Sequence, residues 1–200
     1  MIKQFLITVV MFAIAGSVMA AGDPVAGKKK AALCIGCHGV DGNSANPDWP
    51  SLAGQGEGYL AKQIRDFKTG ARKDDTMNAM VGGLNEADIA NVSAFFASNK
   101  AKGGEAAKES LELGQMLYRA GDASRGIAAC ASCHGPNGAG NPAAKFPALA
   151  GQHAKYTEKA LKDFSLSTRS NDLNSMMRVV AGKLKDSEMK AVAEYIAGLH

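Results

Sequence analysis

The stretch Cys34-Ile35-Gly36-Cys37-His38-Gly39 returns ninety-six residues later as Cys130-Ala131-Ser132-Cys133-His134-Gly135. In each copy two cysteines sit three positions apart and a histidine follows at once. Thiols one helical turn apart reach the two vinyl groups on one edge of a porphyrin and form thioethers with them. The next residue then lies under the ring with its imidazole directed at iron. Cys-x-x-Cys-His is therefore the attachment pattern of c-type haem. The two copies nominate Cys34, Cys37, Cys130 and Cys133 as covalent anchors for two haem c groups, and His38 and His134 as proximal iron ligands.

Other uses of such cysteines fit less well. A thioredoxin-like redox pair calls for a βαβ context, and strand alternation is absent from this chain. A zinc ribbon places its two Cys-x-x-Cys pairs some 15–20 residues apart, whereas Cys37 and Cys130 are far more distant. Two structural disulfides would leave both following histidines as coincidence.

The repetition extends well beyond the motif. Pro50-Ser-Leu-Ala-Gly-Gln55 returns as Pro147-Ala-Leu-Ala-Gly-Gln152, Tyr59 and Phe67 match Tyr156 and Phe164, and Met77 and Leu84 match Met177 and Leu184. Two insertions of a few residues reconcile the halves. Two copies of this length are each large enough for a small core, which describes a duplicated domain and not a solenoid. The expected organisation is a signal peptide over 1–20, a first domain over 21–100, a linker over 101–108, the run Lys-Ala-Lys-Gly-Gly-Glu from Lys100 breaking the pattern, and a second domain over 109–200.

Each half reads as all-α. Asp23-Pro24 starts a helix, with Asp as cap and Pro in the first turn; Glu109 to Ala120 is its counterpart. Second helices are expected at Gly58–Thr69 and Ala154–Phe164. The last helix is the clearest: Asn85 caps one bearing Ile89, Val92, Phe95 and Phe96 on one face, and Asp186 caps one bearing Met189, Val192, Tyr195, Ile196 and Leu199.

The sixth iron position decides the chemistry. An electron carrier fills it, most often with methionine, whose soft sulfur favours reduced iron; a peroxide-cleaving haem leaves it open. A ligand essential to both sites should occur in both copies. Met77 lies seven residues before Leu84 and Met177 seven before Leu184, whereas Met80 aligns with Val180 and Met176 with Thr76. Met77 and Met177 are thus the expected axial ligands, with Met80 and Met176 as the alternatives to test. His153 aligns with Gly56 and His200 ends the chain, so both read as surface groups. Pro50 and Pro147 follow the proximal histidines by twelve and thirteen residues. A proline carbonyl accepting the imidazole N–H would fix its tautomer and strengthen its donation to iron. Trp49, Tyr59, Phe67, Tyr156 and Phe164 read as pocket packing.

Composition excludes other classes. Formal charge is only +4, and no basic block of the nucleic-acid type appears. Lys28-Lys29-Lys30 is the densest basic patch and reads as a solvated helix face. Lys3, the apolar Phe5 to Ala15 and Val18-Met19-Ala20 describe an export signal cleaved before Ala21, which places the remaining chain outside the cytoplasm.

With these residues in hand, the chain resembles the dihaem cytochrome c4 family. The resemblance rests on the paired Cys-x-x-Cys-His-Gly motifs, the paired Pro-x-Leu-Ala-Gly-Gln segments, the methionine before each last helix, and the ending Tyr195-Ile-Ala-Gly-Leu-His200. It implies two tandem class I cytochrome c domains facing one another. It also implies a monomeric periplasmic electron carrier, at times loosely held at the membrane. Electrons would come from a quinol-oxidising complex or dehydrogenase and pass to a membrane-bound terminal oxidase. An alternative is the dihaem electron-accepting subunit of a flavin-containing dehydrogenase complex. A dihaem peroxidase, the other alternative, would need a displaceable distal ligand and an acid–base group that neither copy offers. One departure stands out: Phe95-Phe96 replaces the Tyr-Ile type of pair seen at Tyr195-Ile196.

Overall fold

The computed structural model describes residues 22–106 and 111–199. The expected signal peptide, the end of the expected linker and His200 lie outside the described residues. The first half contains α1 (Pro24–Lys30), α2 (Ile35–His38), α3 (Glu57–Thr69), α4 (Asp75–Val81) and α5 (Glu86–Ser98). The second contains α6 (Leu111–Arg119), α7 (Ala131–His134), α8 (Ala154–Ser165), α9 (Met176–Ala181) and α10 (Asp186–Ala197). Among the described residues there are no strands, only two isolated bridges, Asp122 with Ile127 and Asn141 with Phe146. No helix among them is long and apolar enough to cross a membrane.

Local chemistry explains the boundaries. The Asp23 carboxylate accepts the Val25 N–H at 2.8 Å and Pro24 opens α1, satisfying an orphan donor where proline has none. Asn85 and Asp88 form a reciprocal capping box at α5, with bonds of 2.9 and 3.1 Å. At α10 the expected cap shifts by one residue: Lys185 holds the capping position and Asp186 is the first helical residue. Glu188, not Asp186, accepts the Lys185 N–H, at 2.8 Å, because only a side chain three positions along reaches back to it. Asp186 instead pairs with Lys162 at 2.8 Å.

In each half the first and last helices cross at a glycine. A Cβ on Gly27 would stand 1.9 Å from the Asn91 carbonyl oxygen, and one on Gly114 2.2 Å from that of Ala191. Only a bare backbone permits either crossing. Behind them lie two separate cores. The first holds Ala31, Leu60, Val92, Phe95 and Phe96, with Cys34 packed against it. The second is built from the apolar faces of α6, α8 and α10, and both Cys130 and Met177 pack on it. The hydroxyl that distinguishes Tyr195 from Phe95 accepts from Arg119 Nε at 2.8 Å. It joins α6 to α10 within the second half and does not reach the first.

The halves meet through reciprocal contacts. Gln55 pairs its side-chain amide with the backbone of Ala148, accepting from N at 2.8 Å and donating to O at 3.0 Å. Gln152 does the same to Ser51, at 2.9 Å in both directions. Arg72 reaches the Tyr156 hydroxyl at 3.0 Å and Arg169 reaches that of Tyr59 at 3.1 Å. Each guanidinium lies over a phenylalanine of its own half, Phe67 at 4.5 Å and Phe164 at 4.4 Å, an attractive placement for a cation. The reading of Tyr59 and Tyr156 as pocket packing therefore misses their polar ends, which tie one half to the other. His153, expected at the surface, is half-buried and meets the Ser44 carbonyl of the other half at 2.9 Å. Its alignment with a glycine marked it as dispensable to one domain, not to the contact between two.

Candidate metal centres

α2 and α7 are single turns, and each places one Cys-x-x-Cys-His motif. His38 N donates to Cys34 O at 2.9 Å and His134 N to Cys130 O at 2.9 Å, so both cysteines and the histidine of each copy share one helical turn. Gly39 and Gly135 end these turns at φ of 86° and 80°, a region that favours glycine. At Gly39 a Cβ would also stand 2.2 Å from the Asn43 carbonyl oxygen. The chain leaves the histidine sharply and runs into the loop holding the proline.

Both imidazoles are buried, 7% exposed in each half. His38 Nδ1 lies 2.9 Å from Pro50 O and His134 Nδ1 lies 2.9 Å from Pro147 O. A carbonyl only accepts, so the proton sits on Nδ1 and the Nε2 lone pair is available to a metal. Burial pushes both imidazole pKa values down, and the proline carbonyls oppose this only in part. Neutral rings are the form that ligates.

The leading cysteine of each motif lacks the character of a redox-exchange thiol. Burial pushes the Cys130 thiol up to about 11, and Cys34 is raised for the same reason; a reactive thiolate requires the opposite shift. Among the described residues no three His, Cys, Asp or Glu side chains converge where they could hold a metal ion by themselves. This donor set offers one neutral imidazole and two adjacent thiols, which suits a porphyrin and not a tetrahedral ion.

The methionines lie on the short helices α4 and α9. Asp74 caps α4 by accepting the Met77 N–H at 3.0 Å, and Met77 is half-buried. Met80, one turn on, is 41% exposed. On α9 Met176 and Met177 are adjacent and both half-buried, and Met177 packs against the second core. Arg178 beside them is held by Asp172, through Nε at 2.7 Å and the backbone N at 3.0 Å. Trp49 is 40% exposed and belongs to neither core cluster. Sequence reasoning missed Arg72, Arg169 and the reach of the two glutamines. Arg72 and Arg169 each lie thirteen residues after the matched Tyr59 and Tyr156, and that equal spacing was the available signal.

Two buried imidazoles with engaged Nδ1 atoms, each preceded on its own turn by a pair of thiols, define a two-domain c-type cytochrome. The cytochrome c family model matches residues 24–100 and again 111–200. Cytochrome c4 of Azotobacter vinelandii is 44% identical over 99% of both chains. The crystal structure of reduced recombinant cytochrome c4 from Pseudomonas stutzeri superposes with a TM-score of 0.88 at 45% identity, covering 90% of this chain and 100% of that one. The thiosulfate dehydrogenase electron acceptor of Thiomonas intermedia is 39% identical over 84% of this chain and 79% of its own. The chain belongs to the cytochrome c4 family. It is an electron-transfer protein with two covalently bound haem c groups, one to each domain.

Proposed function

We infer that this chain is a periplasmic electron carrier that takes electrons from a quinol-oxidising complex or a dehydrogenase and delivers them to a membrane-bound terminal oxidase. Cys34 and Cys37 anchor the first haem and Cys130 and Cys133 the second. His38 and Met77 ligate the first iron, His134 and Met177 the second. Each haem supplies a one-electron ferrous–ferric couple. The chain's own residues do the rest. Thioethers would prevent loss of the group, and the Pro50 and Pro147 carbonyls hold the imidazole tautomer that leaves Nε2 free for the metal. Methionine sulfur favours the reduced state and raises the potential. No proton is transferred and no acid or base is required.

The observation that carries this reading is the twofold occurrence of one geometry: thiols and imidazole on a single turn, with Nδ1 held at 2.9 Å by a proline carbonyl. An optical spectrum of the exported protein tests it. The reduced form should show a c-type α-band, the ferric form a weak far-red band of methionine–iron ligation, and haem analysis two groups per chain. Replacing Met77 or Met177 should lower the potential of one haem and leave the other. High-spin features in the resting protein would overturn filled sixth positions, and an unchanged spectrum in either variant would move the assignment to Met80 or Met176.

A second reading is supported by the 39% identity to a thiosulfate dehydrogenase electron acceptor. The chain would then serve as the dihaem electron-accepting subunit of a dehydrogenase, a flavin-containing one in the form expected from sequence. Copurification of a catalytic subunit from the native source, with reduction of both haems by its substrate, would favour it over a free carrier.

A further inference from the structure

The reciprocal glutamines touch one particular peptide group in the opposite domain. Gln55 Oε1 accepts the N–H of Ala148 at 2.8 Å. That N–H belongs to the same peptide unit as the Pro147 carbonyl, which accepts from His134 Nδ1 at 2.9 Å. Across the pseudo-twofold, Gln152 Oε1 accepts the Ser51 N–H at 2.9 Å, and the Pro50 carbonyl of that peptide accepts from His38 Nδ1 at 2.9 Å. None of these peptide bonds is cis, so each planar unit presents its oxygen to the imidazole on one side and its N–H to the glutamine on the other.

The result is two crossed chains of hydrogen bonds. One runs from His134 through the Pro147–Ala148 peptide to Gln55 in the first domain. The other runs from His38 through the Pro50–Ser51 peptide to Gln152 in the second. Both glutamines are buried, at 7% and 9% exposure, so water does not compete for the bonds. Their orientation is fixed from both ends, because each amide nitrogen also donates to the carbonyl of the same alanine or serine. Each Oε1 accepts one further N–H, Gly56 at 3.0 Å and His153 at 3.1 Å.

Hydrogen bonds in series polarise one another. An acceptor on the amide N–H makes the carbonyl of that peptide a stronger acceptor, and a stronger acceptor on Nδ1–H gives the imidazole more imidazolate character. A more basic imidazole stabilises ferric iron. We propose that Gln55 and Gln152 are positioning residues that each tune the proximal histidine of the opposite domain, so that each haem's potential is set in part by a side chain from the other half. This rests on His38 and His134 being the proximal ligands.

The test uses the full-length holoprotein with Gln55→Leu and Gln152→Leu made separately. Potentials are read by redox titration followed through haem-methyl resonances, each assigned to its domain by contacts with that domain's residues. Removing the acceptor weakens the proline carbonyl, so the affected haem becomes easier to reduce. With polarisation of about 10–30% per bond, the expected change is roughly twofold to fivefold in the ferrous-to-ferric ratio at fixed potential. Q55L should move the haem of the second domain and Q152L that of the first. The Nδ1–H resonance of the opposite histidine should shift upfield in step.

A shift in the glutamine's own domain, an equal shift in both haems, or no shift would overturn the proposal. Lys155→Ala serves as the docking control, since it removes the interdomain Lys155–Asp48 pair without touching either proline peptide. If K155A reproduced the Q55L pattern, loosened docking would explain it and the proposal would fall. Should Q55L not fold, the near-isosteric Q55E carries the test. It retains an acceptor for Ala148 N–H, so the His134 Nδ1–H resonance should stay or move downfield, and an upfield move would overturn the proposal. Failure here would leave two intact c-type haems, whereas failure of the electron-carrier reading would show in the spectrum of the unsubstituted protein.

Discussion

Replacing Gly114 with alanine sets two opposed effects against each other in one place. In a helix interior the change gains about 1 kcal/mol from propensity. At this position, however, the added Cβ would lie 2.2 Å from the Ala191 carbonyl oxygen and 2.8 Å from Tyr195 Cβ. Carbon–oxygen contacts are tolerated down to about 3.3 Å, so α6 and α10 must separate by about 1 Å. A gap of that size forfeits about a quarter to a half of each contact's dispersion well. The contacts at stake include those of Leu117, Tyr118 and Val192, which are at most 1% exposed. Overpacking of this kind costs about 1–3 kcal/mol, and a rigid backbone oxygen as the obstacle places the cost at the upper end. The net expectation is a loss of about 1–2 kcal/mol from the second domain, a fall in Tm of roughly 5–15 °C. Thermal unfolding followed by far-ultraviolet circular dichroism measures it, with exchange of the α10 amides localising the loss. Gly27→Ala should do the same to α1 and α5, where the overlap with Asn91 O is closer still at 1.9 Å. Gly83→Ala, outside both cysteine motifs, is the control, because nothing lies within 4 Å of the added carbon. A G114A protein melting at or above the parent temperature would show that the crossing yields easily and refute the reasoning.

Two further outcomes follow from buried polar contacts. Glu188 receives the Arg125 guanidinium at 2.6 and 3.1 Å, and those bonds hold its carboxyl below the usual carboxylate range. The stability this adds is complete above the ordinary glutamate pKa of about 4.3 and is lost as pH falls through the lower folded value. Glu188→Gln should therefore be less stable by about 1–2 kcal/mol at neutral pH, and denaturant titrations should show the deficit shrinking below about pH 4; a deficit independent of pH would contradict the ion pair's role. Tyr118, fully buried, donates to Gly135 O at 2.7 Å, and burial foremost pushes its phenol up to about 12. Tyr118→Phe should cost about 1 kcal/mol and delete the last phenol step in an alkaline ultraviolet titration; survival of that step would assign it to another tyrosine.

The parts of this molecule visible in its sequence are those with a short-range pattern. Asp23-Pro24 and the Asn85–Asp88 box announce helix starts because capping is settled within four residues, and the apolar stripe of α10 follows from a period of 3.6. The helices α4 and α9 were not visible, since seven and six residues are too few to display that period. Lys185 displaced Asp186 from the capping position because the Glu188 carboxylate, fixed by Arg125 from a distant loop, takes the backbone N–H. The contacts of Arg72, Arg169 and His153 join residues some eighty to one hundred and ten positions apart, and local pattern has no bearing on such pairs. Duplication supplied what periodicity did not, by separating Met77 and Met177 from the methionines that occur in one copy only.

The reciprocal contact between the halves has the logic of a symmetric dimer captured in one polypeptide. Residues shared by both copies necessarily act in pairs, Arg72 with Arg169 and Gln55 with Gln152, and so treat the two metals alike. Any preferred direction for an electron must come from residues that escape the mirror. Gln63 is one: it gathers Arg72, Arg169 and Asn171 around a single oxygen, whereas the second copy holds only Ala160 at the matching place. Two copies of one domain cease to be interchangeable at such positions, where a contact made once has no counterpart across the pseudo-twofold.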